Sequence, residues 1–247
     1  MFSYEQAEFV YEPYPICLIK NVLPDGLYDT LSRAYPDISL FEYKPKLGDK
    51  YSLSERNNKE TYLRFIEANP EWARVRDYIK SPAFIEQTLG FLTAHNVDLG
   101  LGDYAVRRLN GKAKASLASR LARRTELSAR FEFSMMGGQG GHIRPHTDEL
   151  TKLVTLVISM VQPGEWDTGW GGGTQTCLPK DRSLIYNQVN RYLEFDQVDL
   201  LENYDFNPNQ CLLFIKTYNS WHQVSPIHAP PNSPMRRSLT INIERLT

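Results

Sequence analysis

Long apolar runs are missing from this chain. No stretch approaches the ~20 residues that a membrane-spanning helix needs, so no transmembrane segment is expected. An excess of one charge is missing too: 28 Lys plus Arg stand against 29 Asp plus Glu, a net charge of −1. That removes any global electrostatic case for binding nucleic acid or a membrane surface. Cysteine is scarce. Cys17, Cys177 and Cys211 form an odd, widely spaced set, which argues against a disulfide framework and suits a reducing cytoplasm. The amino-terminal stretch lacks the signature of a secretory signal, because Glu5, Glu8 and Glu12 precede any apolar run. No internal repeat is visible. What remains is a chain of 247 residues, enough to bury one sizeable core in a single domain spanning 1–247. A cytoplasmic protein without nucleic-acid or membrane partners is expected.

Residues 14–23 read as a short strand, and Pro24-Asp25-Gly26 opens a helix with Leu27, Leu31 and Tyr35 at helical spacing before Pro36 stops it. Residues 41–60 are polar and without period, which predicts a loop folded over something or a mobile surface segment. Residues 60–95 read as helices broken at Asn69-Pro70 and near Ser81-Pro82, with Phe84, Ile85, Leu89, Phe91 and Leu92 as an apolar face. His95, at their end, has no second ligand at metal spacing and reads as structural or solvent-facing. Residues 1–105 are thus expected to supply a strand and supporting helices.

A basic segment follows at 106–128. Arg107, Arg108, Lys112, Lys114, Arg120, Arg123, Arg124 and the neighbouring Arg130 stand against one acid, Glu126. It is a solvated loop on the plain reading, and on the functional one a lid or docking surface in which Arg120 and Arg123 contact an anionic substrate.

From residue 129 onward the pattern changes to strands. Arg130 to Met135 alternates polar and apolar. Val154, Leu156, Ile158 and Met160 alternate with Thr155, Val157 and Ser159; Leu239, Ile241 and Ile243 alternate with Ser238, Thr240 and Asn242. Strands with one greasy and one small polar face suit a double-stranded β-helix, or jelly roll. The greasy faces would pack on the amino-terminal helices and the polar faces would line a pocket. The expected fold class is therefore α+β, mainly β, with the jelly-roll core at 129–247.

Within that core, His146 and Asp148 follow the glycine-rich turn Gly137-Gly138-Gln139-Gly140-Gly141. Residues two apart on a strand point the same way, so both side chains can reach one point. An imidazole and a carboxylate are two of the three ligands of the facial triad that holds non-haem Fe(II). With five His and 29 acids in 247 residues, chance alone gives a His-x-acid about 0.6 times, so the pair needs context. His222, after the apolar run Leu212 to Ile215, can supply a third ligand. Beyond it, Arg236 opens the last alternating strand, with Ser238 and Thr240 on its face and Arg237 pointing the other way.

In these pieces the chain resembles the iron(II)- and 2-oxoglutarate-dependent oxygenases, in particular their prolyl-4-hydroxylase-like branch. The matching elements are His146-x-Asp148, the glycines between Trp170 and Thr174, His222 with Val224, and Arg236 with Thr240, in the family's order between residues 130 and 245. The resemblance implies Fe(II) held by His146, Asp148 and His222, with His142 and His228 as competitors less suited by position. It implies 2-oxoglutarate held by Arg236 and the Thr240 hydroxyl. Ser159 stands where many members have a tyrosine and is counted with Arg236 and Thr240 as a 2-oxoglutarate contact, and Met136 replaces another tyrosine. Glu132, Ser134 and Trp170 are candidate substrate contacts; for Glu132 a structural acid, and for Trp170 packing under the loop, are the alternatives. The implied chemistry puts one atom of O2 into 2-oxoglutarate, releasing succinate and CO2, and the other into an unactivated C–H, with ascorbate a candidate auxiliary. A prolyl or other residue of a peptide or protein is the nearest prime substrate, and a free amino acid, sugar or other small metabolite is the rival. A jelly-roll binding module without catalysis, or a cupin-like metalloenzyme that needs no Arg236, are the readings from other classes.

Overall fold

The computed structural model describes residues 1–111 and 113–247; Lys112 of the basic segment lies outside the described residues. In chain order the strands are β1 (Ala7–Val10), β2 (Ile16–Ile19), β3 (Glu42–Lys44), β4 (Lys50–Ser54), β5 (Tyr104–Val106), β6 (Thr125–Met136), β7 (Ile143–His146), β8 (Lys152–Ser159), β9 (Thr174–Pro179), β10 (Val198–Tyr204), β11 (Cys211–Ile215), β12 (His222–Val224) and β13 (Arg236–Arg245). The helices are α1 (Asp25–Arg33), α2 (Lys59–Ala68), α3 (Pro70–Ile79), α4 (Pro82–Ala94) and α5 (Leu117–Leu121).

The strands form two sheets. The larger runs β1-β2-β11-β8-β13-β6-β4-β3, with β5 parallel to β6; the smaller runs β10-β9-β12-β7, and every other pairing is antiparallel. The long central strands set the register. On β13 and β6, Ser238 faces Ser134, Thr240 faces Glu132 and Asn242 faces Arg130. On β13 and β8, Thr240 faces Val157 and Asn242 faces Thr155.

Alternation divides the larger sheet into two faces. Phe131, Phe133, Leu156, Ile158, Leu239 and Ile241 enter one core with Tyr62 and Trp72 of α2 and α3 and with Phe84 and Ile85 of α4. The helices end where the sequence breaks them. Pro70 and Pro82 stand at first helical positions, where a missing N–H costs nothing, and the Ser81 hydroxyl caps α4 at the Phe84 N–H. On the other face, polar residues of β6, β8 and β13 meet the smaller sheet and enclose a cavity.

Residues 41–60 depart from expectation. They are not a loop: β3 and β4 extend the larger sheet beyond β6, with Ser52 opposite Ser134 and Leu53 opposite Phe133. Periodicity failed because the segment is short and broken by Pro45 and Gly48, while only Phe41 and Leu53 carry its burial in the core, with Tyr51 packed beside them. The three cysteines are free and buried. No helix among the described residues is long and apolar enough to cross a membrane.

Candidate active site

The two histidines come together by strand pairing. β12 lies between β9 and β7, and its register sets His222 directly opposite His146. β7 is the edge of the smaller sheet, which tolerates Pro145 within it. The chain leaves β7 after His146, and Asp148 sits at φ +71°, a left-handed conformation that Asp adopts more readily than most residues. That turn aims its carboxylate back at the imidazoles. One ligand atom from each of His146, Asp148 and His222 lies within 4.8 Å of the others, and all three side chains are buried. Nε2 of His146 is 3.5 Å from Asp148 Oδ1, and Nε2 of His222 is 4.0 Å from Oδ2.

Each imidazole is oriented from behind. Nδ1 of His146 is 2.9 Å from the Arg144 carbonyl and Nδ1 of His222 is 2.9 Å from the Ser220 carbonyl. With Nδ1–H donating to these carbonyls, the Nε2 lone pairs face the centre, as metal-bound imidazoles require. Tyr192 stacks on His146 at 5.0 Å between centroids and Phe214 packs on His222 at 4.4 Å. Burial and the neighbouring His146 press the His222 pKa down to about 3, so it is a neutral ligand at pH 7. Burial works against the Asp148 charge, but Lys152, His146 and His222 outweigh it and hold the carboxyl well below its usual range. Lys152 Nζ donates to Oδ1 at 2.6 Å and the Thr155 hydroxyl to Oδ2 at 3.2 Å; Thr155 also contacts Asn242 at 3.1 Å.

Beside the triad lies an inner chamber of about 110 Å³, lined by Ser134, Val157, Phe214, Arg236 and Ser238 among others. Arg236 is 2% exposed. Its Nε donates to the Gly172 carbonyl at 2.6 Å, its Nη1 lies 3.5 Å from Ser238 Oγ, and its guanidinium sits 3.9 Å over the Phe206 ring. Gly172 is at φ +75°, and a Cβ there would lie 3.2 Å from Cδ of Arg236, so this close approach needs glycine. Nη2 has no partner, and no carboxylate pairs with Arg236 among the described residues. Burial without an anion pulls its pKa down to about 9, which leaves it charged at neutral pH. A buried, unpaired arginine is costly unless an anion completes it. The donor set fits both groups that the sequence implied: a metal at the two imidazoles and carboxylate, and a carboxylate-bearing co-substrate between that metal and Arg236.

An outer chamber of about 370 Å³ opens on the other side of the triad. Lys46, Lys50, Arg130, Glu132, Arg144 and Tyr192 are among the residues that line it. Thr240 lines both chambers. Glu132 takes a 2.6 Å bond from Lys50 and a 3.2 Å bond from Asn57; burial opposes its charge, yet Lys50 and Arg130 bring its pKa down to about 2.

The other sequence-predicted residues lie as follows. Ser134 lines the inner chamber and Glu132 the outer. Ser159 lines neither; it borders a small cavity with Tyr204 and Phe206, and its buried Oγ has no partner. Trp170 packs edge-on against Trp166, 5.4 Å between centroids, and lines neither chamber. Arg120 and Arg123 border a separate concavity with Arg245 and Thr247. His142 lines the outer chamber with Nδ1 at 2.7 Å from the Gly140 carbonyl, and His228 is exposed; neither joins the ligand cluster. Arg237 points away and pairs with Glu165. Lys50, Lys152 and Tyr192 went unnoticed in the sequence, and Thr155 was placed on the pocket face without a role at Asp148. Lys152, four residues after Asp148, carried a faint signal; Lys50 carried none while its segment read as a loop.

Residues 131–244 match the family model described as the 2OG-Fe(II) oxygenase superfamily. No curated protein matches the chain. Among solved structures, the chain resembles the non-heme alpha ketoglutarate dependent epimerase SnoN from nogalamycin biosynthesis. The identity is 11%, the TM-score 0.50, and 93% of this chain and 76% of the other are covered. It also aligns with a prolyl-4-hydroxylase from Pseudomonas putida at 13% identity and a TM-score of 0.49, over 93% of this chain and 92% of that one. At such identities the first likeness speaks for the fold alone.

Proposed function

We propose that this chain, whose residues 131–244 match the model of the 2OG-Fe(II) oxygenase superfamily, is a dioxygenase of that kind that hydroxylates an unactivated C–H of an organic substrate. On this reading the two sheets are the halves of a double-stranded β-helix, and His146, Asp148 and His222 would hold the metal. The observation that carries it is the pairing of a His-Asp-His cluster with an unpartnered buried arginine across one small chamber.

When bound, Fe(II) with 2-oxoglutarate supplies an oxidant strong enough for an unactivated C–H, with succinate and CO2 as by-products. The chain's own residues do the rest. His146, Asp148 and His222 would hold the metal, three ligands that would leave room for the co-substrate. Arg236 takes the far carboxylate of 2-oxoglutarate by a charge-assisted pair, with the hydroxyls of Ser238 and Thr240 beside it. Thr155 and Asn242 hold Asp148 in place, while Phe214 and Tyr192 fix the imidazole planes. Val157, Phe214 and Val224 in the inner chamber keep water from the reacting centre.

The prime substrate we assign to the small polar molecules rather than to a prolyl or other residue of a peptide. Lys50, Glu132 and Arg130 line the outer chamber, and an apolar pyrrolidine seated there would strip water from these charges and return no hydrogen bond. The test is succinate formation from 2-oxoglutarate by the purified protein, with and without Fe(II). Iron-dependent succinate accompanied by O2 uptake is expected. Iron binding with no succinate in the presence of 2-oxoglutarate would overturn the reading and favour a binding module.

A further inference from the structure

The geometry points to an anion subsite at Arg130: the prime substrate carries a carboxylate or phosphate that this guanidinium holds in the outer chamber. The inference rests on the oxygenase reading above and concerns the substrate class of that same site.

Acids and cations in the chamber differ in what they have left to offer. Three of the four lining acids accept hydrogen bonds, and the fourth, Glu149, faces Arg56 at 3.9 Å. Glu132 accepts from Lys50 and Asn57, Asp148 from Lys152 and Thr155, and Asp49 from the Tyr43 hydroxyl. The cations are not all spent. Arg130 gives Nε to Glu244 at 2.8 Å, and its two terminal nitrogens have no hydrogen-bond partner among the described residues. Glu244 is itself shared with Arg56, which also lies 3.9 Å from Glu149, and neither carboxylate is hydrogen-bonded to the terminal nitrogens of Arg130. Arg144, at the wall, gives Nη1 to Glu194, and Lys46 has no ion-pair partner among the described residues. The unspent capacity at Arg130 is donor capacity, which an anionic group can use and a lone ammonium cannot.

Placement supports the same reading. Thr155, Asn242 and Arg130 are in register across β8, β13 and β6. Thr155 bonds to Asp148, so Arg130 lies two strand spacings, about 10 Å, along the sheet from the residue that holds the metal ligand. A compact molecule anchored there by its anionic end reaches the centre with its other end. Fixing one end in this way presents a single C–H to the metal. Lys46 and Arg144 at the mouth add attraction for an incoming anion.

The probe is inorganic phosphate, and Mn(II) replaces iron in protein saturated with 2-oxoglutarate. Mn(II) occupancy is measured separately by electron spin resonance on each sample. Phosphate bound at Arg130 should show paramagnetic relaxation of its phosphorus resonance by the metal, stronger than in protein loaded with Mg(II). Arg130→Gln should cut that effect about tenfold or more, the size expected for losing a charge-assisted contact. Arg130→Lys keeps a cation and should retain part of it, which separates lost recognition from a damaged fold. Relaxation that is absent in the wild type, or equal in wild type and Arg130→Gln at equal Mn(II) occupancy, would overturn the subsite. Protein that takes up no Mn(II) at all would instead bring down the oxygenase reading.

Discussion

The two faces of the larger sheet are built from alternate residues of the same strands, and both are buried, yet they obey opposite rules. Phe131, Phe133, Leu239 and Ile241 turn to the helices and make one continuous apolar core. Glu132, Ser134, Ser238 and Asn242 turn the other way and are as deeply covered, but they form ladders of hydroxyls, amides and charges. The first face gains stability from every contact. The second contains Arg236, whose charge and orphaned Nη2 cost stability until a ligand arrives. Stability and function are thus separated by a single residue of register, and a one-residue slip would exchange them.

Substitutions on the two faces should therefore fail differently. The largest effect belongs to the metal ligands: His146→Ala, Asp148→Ala or His222→Ala should abolish succinate formation and metal uptake, measured by metal analysis, while circular dichroism shows a folded protein. His142→Ala and His228→Ala should leave both intact. On the helix side, Phe133→Ala should cost about 3–5 kcal/mol in denaturant unfolding, the range for an aromatic removed from a packed core, while the protein that remains folded still takes up metal. A loss of metal affinity at Phe133→Ala in folded protein would break the separation between the faces.

A smaller effect separates the pH dependence of the polar face. Glu132 has its pKa lowered from 4.5 to about 2, against burial, chiefly by Lys50. Its contribution to stability is present above about pH 4.5 and is lost as pH falls toward 2. Lys50→Met should then cost roughly 1–3 kcal/mol at pH 7, and the gap to wild type should close between pH 4.5 and 2 in acid-unfolding curves. A gap that stays constant through that window would mean that Lys50 stabilises by packing rather than by charge.

Much of this contrast was legible in the sequence. The alternations at 153–160 and 238–243 predicted which residues face the helices, and the proline breaks predicted α2, α3 and α4, because periodicity and backbone chemistry are local properties. The meeting of His146, Asp148 and His222 in one buried cluster was legible from their pattern. What was hidden depends on long-range pairing. Lys50 enters the site because β4 pairs with β6, some 80 residues away in the chain, and nothing local in 41–60 reports that. Ser238 is the hydroxyl that meets Arg236, at 3.5 Å, and Ser159 lines neither chamber, since strand pairing shows which residues share a face but not where a long guanidinium ends. The cations of 106–128 read as one patch, whereas Arg107 and Arg108 pair with Glu126 and Asp77 and Arg120 and Arg123 border another concavity.

The central claim is that Arg236 waits in the polar face for the carboxylate of 2-oxoglutarate while its neighbour Arg237 serves the other side. Calorimetric titration of 2-oxoglutarate into Mn(II)-loaded protein, without O2, tests it directly. Arg236→Ala should weaken binding by about 2–5 kcal/mol, as expected for truncating one partner of a buried charge pair, and Arg237→Ala should leave it within about 0.5 kcal/mol. Equal affinity in wild type and Arg236→Ala, or a loss confined to Arg237→Ala, would contradict the account.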